Sequence, residues 1–288
     1  MSRRSLWLPL VLVAACDSPP QRNEAAPDTT PVVAADTAPR VLFAVRRNDH
    51  GIWMDAVAVF HDTGIARPPA GEWRDSAANA FRARWYAPGL RYFLHSANGA
   101  IGHIAAVRAT EPGCAGLPAD ARLLDLDSLA RPALATNALR PGAGPIYLRP
   151  VTAEEQALLD TVAFDAIPDS VPRILRIRTH RTQAFAVAMA PGRPLLLGSY
   201  ESEVEDRRLS VLVVLEHDQR YRPTLTDVRD GIEAGVEIRE FYDILDVTGD
   251  RLPEIITANR YYQSTGYSIY ARAADGWREI YTGGGGGC

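Results

Sequence analysis

The sequence predicts a folded region of the α+β class that is mostly antiparallel β and is divided into two subregions. From residue 41 onwards, short runs rich in Val, Ile, Leu and aromatic residues alternate with turns that contain Gly, Asn or Pro, which is typical of many short antiparallel strands. Helical spacing of apolar residues is confined to three short stretches. Apolar residues make up 47% of the chain and charged residues 23%, which excludes collagen, coiled coil and wholesale disorder.

The amino terminus has the features of a secretory signal. Arg3 and Arg4 precede an apolar run at residues 6–13, and small residues follow that run. The run is too short to cross a bilayer core of about 30 Å. We therefore expect residues 1–15 to be an export signal and not a transmembrane helix.

The tetrad Val13-Ala14-Ala15-Cys16 resembles the lipobox of bacterial lipoproteins. The resemblance implies that Cys16 is lipidated and becomes the first residue of the mature protein, which would anchor the chain in a membrane. It also implies a place in the cell envelope, facing the periplasm or the exterior. The alternative is an ordinary signal followed by an unmodified cysteine. Residues 16–39 are rich in Pro, Ala, Asp and Thr and have no aromatic residue, so we expect a disordered tether there.

The charge balance excludes one class of partner. All 31 basic residues are arginine, 35 residues are acidic, and the formal net charge is −4. A surface that binds phosphate backbones needs a concentrated excess of positive charge. We therefore expect no nucleic-acid partner.

Residues 40–135 are predicted to form a small α+β domain. Asn98-Gly99 is a hairpin signal between two of its strands. A stretch poor in bulky apolar residues, 132–145, is predicted to contain the boundary to the next domain. Strands are predicted at residues 41–45, 52–60, 90–95 and 100–107, and helices within 73–86 and at 119–130.

Residues 146–288 are predicted to form a β-rich domain. It begins with a helix at 153–163, because Thr152 and Glu155 have the spacing of a capping box. In the stretch 236–244, Val236, Ile238, Tyr242 and Ile244 are expected on one face and Glu237, Arg239 and Asp243 on the other, as in a half-buried strand. Strands are predicted at residues 173–178, 184–189, 194–200, 209–216, 236–245, 254–258, 267–271 and 277–281.

An Asp-rich stretch between two of these strands is a candidate calcium site. Oxygen-bearing side chains stand at relative positions one, three, five and nine of residues 246–254. Calcium takes six to eight oxygen ligands and tolerates irregular geometry. The candidate ligands are the side chains of Asp246, Thr248, Asp250 and Glu254 and the main-chain carbonyl of Leu252.

The stretch from Tyr242 to Tyr281, with Asp-x-Thr-Gly-Asp followed by Pro-Glu-Ile-Ile, resembles the strand-loop-strand element of FG-GAP or VCBS-type repeats. In that family such elements are blades of β-propellers and often bind calcium. One copy cannot form a propeller, because repeats bury their faces by stacking. The resemblance therefore implies a single blade-like sheet in the second domain.

The same stretch has an alternative interpretation without metal. Thr248 stands where the repeats usually have Asp or Asn, and Arg251 stands where they have glycine. Aspartate is common in turns because its carboxylate accepts backbone N–H groups. The loop is then a structural turn that joins two strands.

The three cysteines are Cys16, Cys114 and Cys288. With Cys16 lipidated, Cys114 and Cys288 remain as a pair in an exported protein, where disulfides form. The five glycines at 283–287 would give Cys288 freedom to reach Cys114. The alternative is one buried thiol and one loose terminal thiol.

Other polar groups are expected to have structural roles. The six histidines lack zinc-type spacing, and His95 and His103, which could meet across the hairpin, are more typical of a polar face. The aromatic residues Tyr261, Tyr262, Tyr267, Tyr270 and Trp277 could form a ligand surface, but alternating aromatics are usually sheet packing.

No acid–base, nucleophile or metal-hydrolase motif emerges from the sequence, so a noncatalytic binding or interaction role is predicted. An envelope protein or glycan is the expected partner, besides the membrane itself. The alternative is a hydrolase of envelope material with a site assembled from distant carboxylates. A pocket with two carboxylates about 5 to 9.5 Å apart would favour such an enzyme.

Overall fold

The computed structural model describes residues 39–48, 51–69, 75–96, 99–110, 117–138, 146–189, 194–232 and 235–287. Of these described residues, 61% are in strands and 14% in helices, so the prediction of a mostly antiparallel β protein is confirmed. None of the helices in these ranges is both long enough and apolar enough to cross a membrane.

Six strands of the first half close into a barrel. The elements of this half are β1 (Arg40–Asn48), β2 (Gly51–His61), β3 (Gly64–Ala66), α1 (Ser76–Trp85), β4 (Arg91–Ser96), β5 (Gly99–Ala109), β6 (Pro118–Leu123) and β7 (Ala133–Thr136). The strand order is β1-β7-β4-β5-β6-β2, and pairing between β1 and β2 closes the ring, while β3 extends β2 on the outside.

Side chains fill the barrel, because alternate residues of each strand point inwards. Phe43, Met54, Leu94 and Ile104 belong to one buried cluster that draws residues from all six strands. Helix α1 packs against the same cluster through side chains that include Phe81. Asp75 caps this helix by accepting the N–H of Ala77 at 2.8 Å.

The second half forms two open antiparallel sheets and two helices. Its elements are β8 (Ile146–Pro150), α2 (Ala153–Ala166), α3 (Arg173–Arg178), β9 (His180–Met189), β10 (Leu195–Val204), β11 (Arg207–Asp218), β12 (Arg220–Ile232), β13 (Ile238–Leu245), β14 (Glu254–Arg260), β15 (Ser264–Ala273) and β16 (Gly276–Gly287). The five-stranded sheet has the order β12-β11-β10-β9-β8, and the four-stranded sheet runs β13-β14-β15-β16 in chain order.

The four-stranded sheet lies between the barrel and the five-stranded sheet. One of its faces packs against the outside of the barrel, where Ile256 joins a cluster with Leu42. Its other face packs against the five-stranded sheet, where Ile255 joins a cluster with Leu197. Helices α2 and α3 cover the far face of the five-stranded sheet. Residues 37–288 form one compact unit, and the predicted division into 40–135 and 146–288 stays a prediction.

The capping box of α2 is confirmed. The Thr152 hydroxyl accepts the Glu155 N–H at 3.2 Å, and the Glu155 carboxylate accepts the Thr152 N–H at 2.8 Å. Arg149 holds the same carboxylate with two contacts of 2.7 Å, and these hydrogen bonds lower the pKa of Glu155 to about 2.

The predicted helix at 119–130 is wrong, because the chain forms strand β6 there. Leu117 and Ala119 lie in the barrel cluster, and Ala121 and Leu123 pack against it. These residues are two positions apart, which is the period of a strand.

The predicted strand at 173–178 is also wrong, because these residues form the short helix α3. Pro172 precedes its first turn, and the N–H of Leu175 donates to the Pro172 carbonyl at 3.0 Å. Leu175 enters the cluster beneath α2, while Ile174 and Ile177 remain 46% and 66% exposed. Packing against α2 and the five-stranded sheet therefore determines that this segment is a helix.

The expected half-buried strand at 236–244 is buried on both faces. The pairing of β13 with β14 shifts register between Phe241 and Asp243, and such a bulge changes the face that follows it. Tyr242 packs towards the barrel, whereas Ile244 packs towards the five-stranded sheet. The two side chains therefore do not share a face.

Candidate functional site

The glycines at 283–287, here called the glycine strand, form the end of β16 and pair with β15. Gly283 lies opposite Tyr267, and Gly286 lies opposite Thr265. A Cβ atom at Gly284 would lie 2.3 Å from the carbonyl oxygen of Val57, and one at Gly285 would lie 1.9 Å from that of Thr265. Two neighbouring backbones thus approach so closely that only glycine fits.

A cleft of about 340 Å³ lies beside the glycine strand. We call it the glycine cleft. Its walls combine main chain, hydroxyl groups, two prolines, a tyrosine and an arginine. The lining residues are Ala56, Arg67, Pro68, Pro69, Leu117, Tyr261, Ser264, Thr265, Gly266, Thr282, Gly283, Gly284, Gly285 and Gly286.

Arg67 is the charged member of this lining. Its side chain lies directly over Gly283, since a Cβ at that glycine would be 2.8 Å from its Cγ and 2.9 Å from its Nε. Arg67 is exposed, and within the described ranges it has no hydrogen bond or ion pair. The guanidinium is therefore available to a ligand in the cleft.

Tyr261 also lines the cleft and is held in place by both its main chain and its hydroxyl group. Its ring lies against Gly266, where a Cβ would be 3.4 Å from its Cε2 atom. Its N–H donates to the Ser264 carbonyl at 2.8 Å, and its hydroxyl donates to Glu237. Burial, followed by the hydrogen bond and charge of Glu237, raises the pKa of Tyr261 to about 12.

Glu237 belongs to a buried ion network behind Tyr261. Arg239, only 2% exposed, donates from Nε to Glu237 Oε1 at 2.8 Å and contacts Asp227 at 2.7 Å and Glu279 at 2.8 Å. Arg229 also pairs with Glu237. Burial acts to raise the pKa of Glu237, but hydrogen bonds from Tyr261 and Arg239 and the two arginine charges outweigh it, so the pKa is lowered.

This network fixes the wall of the cleft. The guanidinium of Arg239 also lies 5.6 Å from the ring centre of Tyr270, and its main-chain N–H donates to Ser210 at 3.0 Å. Removing one member of such a buried pair leaves an uncompensated charge and costs about 3–5 kcal/mol. Tyr261 is thus attached to a buried ion network through its hydrogen bond to Glu237.

The candidate calcium ligands lie together in the loop between β13 and β14, where backbone groups occupy them. Asp246 accepts the N–H of Gly249 at 2.5 Å and that of Arg251 at 3.1 Å. Asp250 accepts the N–H of Leu252 at 2.8 Å. Arg251 has a φ of 72°, the left-handed conformation that glycine usually supplies.

Glu254 closes the same loop. Its carboxylate accepts the N–H of Val247 at 2.8 Å and the hydroxyl of Thr248 at 3.0 Å. Burial raises the pKa of Glu254 to about 7. In the part of the chain that the structure describes, no group of three or more His, Cys, Asp or Glu side chains converges as metal ligands would. The backbone contacts match the structural-turn alternative, and calcium stays a prediction.

The two hairpin histidines do not meet. His103 lies opposite Phe93 in the sheet, and its Nδ1 pairs with Asp125 Oδ2 at 2.5 Å. His95 is 2% exposed, and burial lowers its pKa. Asp125 lines the cleft next to His103, yet each of the four described clefts contains at most one carboxylate.

The predicted lipidation and disulfide residues, Cys16, Cys114 and Cys288, lie outside the described residues. Of the candidate aromatic surface, Tyr267, Tyr270 and Trp277 are buried between layers, and Tyr262 is 59% exposed. Tyr261 alone of these five lines the glycine cleft.

Sequence reasoning did not find Arg67 or the ion network, because their partners are distant in the chain. The unusual run of five glycines was the available signal for the cleft. In comparisons with known proteins, no family model, no curated protein and no solved structure matches this chain. Its function is therefore argued from the chemistry of its own site.

Proposed function

We propose that this chain is an exported lipoprotein whose folded part has a noncatalytic binding role, with the glycine cleft as its ligand site. The main support for this proposal is the presence of the glycine cleft. Its volume of about 340 Å³ falls in the range of small-molecule sites. Its lining combines hydroxyl groups, main-chain groups and Arg67, which has no ion pair among the described residues, as expected of a site that orients a polar ligand.

The lining also supports binding over catalysis. A general acid or base must titrate near the working pH and lie within hydrogen-bond reach of the reacting group. The titratable lining residues are Arg67 and Tyr261, and the Tyr261 hydroxyl already donates to Glu237. With a pKa of about 12, Tyr261 remains a neutral phenol at physiological pH.

The binding role is tested by blocking the cleft. The full chain, purified in detergent, is incubated with a small-molecule extract of the native cell envelope, and retained compounds are identified by mass spectrometry. Ser264 lines the cleft, so Ser264→Trp should abolish retention. The matched control is Ser170→Trp, because Ser170 is exposed and lines none of the described clefts.

Three results would each overturn the binding role. The first is equal retention by the wild type and Ser264→Trp, and the second is no retention by either protein. The third is release of a compound with an altered mass, which would indicate catalysis. Thermal unfolding of both variants verifies that the substitutions leave the fold intact.

The membrane anchor is a separate part of the proposal, and the lipobox-like tetrad 13–16 supports it. Several acyl chains on one residue hold a protein at the membrane, because each buried CH₂ contributes about 0.8 kcal/mol. Cys16→Ser should move the protein from the membrane fraction to the soluble fraction. If this variant remains in the membrane fraction, the proposal of a lipid anchor is wrong.

Calcium at the loop 246–254 is proposed as an accessory ligand, on the spacing of its oxygen side chains. Binding would require Asp246, Asp250 and Glu254 to exchange backbone N–H groups for the cation. Calorimetry with millimolar calcium should give a heat for the wild type that Asp250→Ala abolishes. No heat from the wild type would leave the loop as a structural turn.

A further inference from the structure

The distribution of charge around the glycine cleft restricts the class of ligand that it can take. Arg67 is the one charged residue among the described lining residues, and no carboxylate is among them. Glu237, the acid that holds the Tyr261 hydroxyl, is compensated by Arg239 and Arg229. Within the described residues, a negatively charged group in the cleft therefore meets a cation without an ion pair and no lining carboxylate.

The position of Arg67 is that of a side chain held in place for ligand recognition, and not that of a freely moving surface arginine. Its Cγ and Nε rest on Gly283, at a spacing that a side chain at residue 283 would not permit. An arginine side chain that is already held in one conformation loses less conformational entropy on binding a ligand than a freely moving one does. Its planar guanidinium suits carboxylate and phosphate oxygens, which it can hold with two parallel hydrogen bonds.

The remaining polar groups suit the uncharged part of such a ligand. Ser264, Thr265 and Thr282 line the cleft, and a hydroxyl can both donate and accept a hydrogen bond. The Thr282 hydroxyl already accepts from Ser268 at 3.1 Å, which leaves it the role of a donor. The glycine strand adds main chain to the lining, because its residues carry no side chains of their own. These groups recognise hydroxyl or amide functions without requiring a second charge.

We propose that the glycine cleft binds a small anionic molecule by its carboxylate or phosphate group, which Arg67 holds. This inference rests on the proposed binding role and adds the chemical class of the ligand. Because Arg67 is exposed, the affinity should fall as salt screens the interaction.

The experiment is a calorimetric titration of the full chain with matched pairs of probes. One pair is glycerol 3-phosphate and glycerol, and the other is succinate and succinamide. The variants are Arg67→Gln, which removes the charge, and Arg122→Gln as the control. Arg122 is an exposed arginine of β6 that lines none of the described clefts.

We expect at least one anion to bind the wild type and its neutral counterpart to fail. Arg67→Gln should raise the Kd of that anion about tenfold or more, while Arg122→Gln should leave it unchanged. A preference for glycerol 3-phosphate assigns a phosphate group, and a preference for succinate assigns a carboxylate. Equal binding by the neutral probes, unchanged binding by Arg67→Gln, or no anion binding overturns the inference.

The envelope-extract experiment separates this inference from the binding role. If Ser264→Trp blocks retention of compounds that prove uncharged, the binding role holds and the proposal of an anionic ligand is wrong. If Arg67→Gln retains the same anionic compounds as the wild type, Arg67 is not the binding group. If no compound is retained by the wild type, the binding role itself fails.

Discussion

At the scale of single residues, the structure shows how burial changes the chemistry of a carboxylate. Asp55 on β2 is 3% exposed, and burial raises its pKa to about 6, opposed by the charge of Arg46 and the N–H of Ala56. The phenols of Tyr86, Tyr242 and Tyr267 lie near it. Burial raises the pKa values of all three, so they remain neutral while Asp55 titrates.

Asp55 should therefore make the stability of the protein depend on pH. Because its pKa is raised in the folded state, its stabilising contribution is complete below about pH 3.8 and is lost as the pH rises through about 6. The loss is of order 3 kcal/mol at neutral pH. Asp55→Asn should be more stable than the wild type at about pH 8, as measured by urea unfolding.

The exposed Asp62 provides the control for this prediction, because it lies at the other end of the same strand pair. Asp62→Asn also removes a carboxylate, but at an exposed position, and should not show the gain in stability at about pH 8 that is expected of Asp55→Asn. If Asp55→Asn and the wild type lose stability in parallel between about pH 4 and 7, burial of Asp55 is not the cause.

At the scale of elements, the glycine strand depends on close backbone contact. Alanine at Gly284 would place its Cβ 2.3 Å from the Val57 carbonyl oxygen and would adopt a φ of 65°. Overpacking and the left-handed conformation together should cost about 2 kcal/mol or more. We expect Gly284→Ala to lower the free energy of unfolding, measured by urea titration, by that amount.

Gly235→Ala is the matched control for Gly284→Ala. A Cβ at Gly235 has no other atom within 4 Å, and this glycine has no positive φ. The control should leave stability nearly unchanged. A Gly284→Ala variant as stable as the control would show that β16 does not pack against β2 in solution.

The success of sequence prediction for each element follows from how local its determinants are. The helix α2 was predictable because Thr152 and Glu155 form its cap within one turn. The edge strand β12 gave no signal, since its exposed and partly buried positions follow no strict alternation. The barrel strand β7 is only four residues long and is defined by pairing with β1 and β4.

At the scale of the whole molecule, the structure buries two charged residues that the sequence pattern placed on a solvent-exposed face. Arg239 and Glu237 looked like the solvent face of a strand, but the five-stranded sheet covers them and supplies Asp227 as a partner. Which face of a strand is covered depends on the packing of layers, and a strand pattern alone does not contain that information. The same reason kept Arg67 and Tyr261 from being predicted as one site.

The layered arrangement also bears on the two cysteines. Leu117 of the barrel half and Gly286 of the glycine strand line the same cleft. Cys114 is three residues before Leu117, and Cys288 is two residues after Gly286. Both cysteines lie outside the described residues, and described residues close to each of them in the chain line this one cleft.

We therefore predict a disulfide between Cys114 and Cys288 in the exported protein. It would close a loop of roughly 175 residues and, on the chain-entropy model, stabilise the folded state by about 5 kcal/mol. Mass spectrometry of protein from the exported compartment, digested without reduction, should show the two cysteine peptides joined, and Cys114→Ser should abolish the joined species. Alkylation of both thiols in the unreduced wild type would contradict the bridge, because a disulfide protects both sulfurs. Reduction should lower the stability of the wild type but not that of the Cys114→Ser/Cys288→Ser double variant, which separates the bridge from any other effect of the reductant.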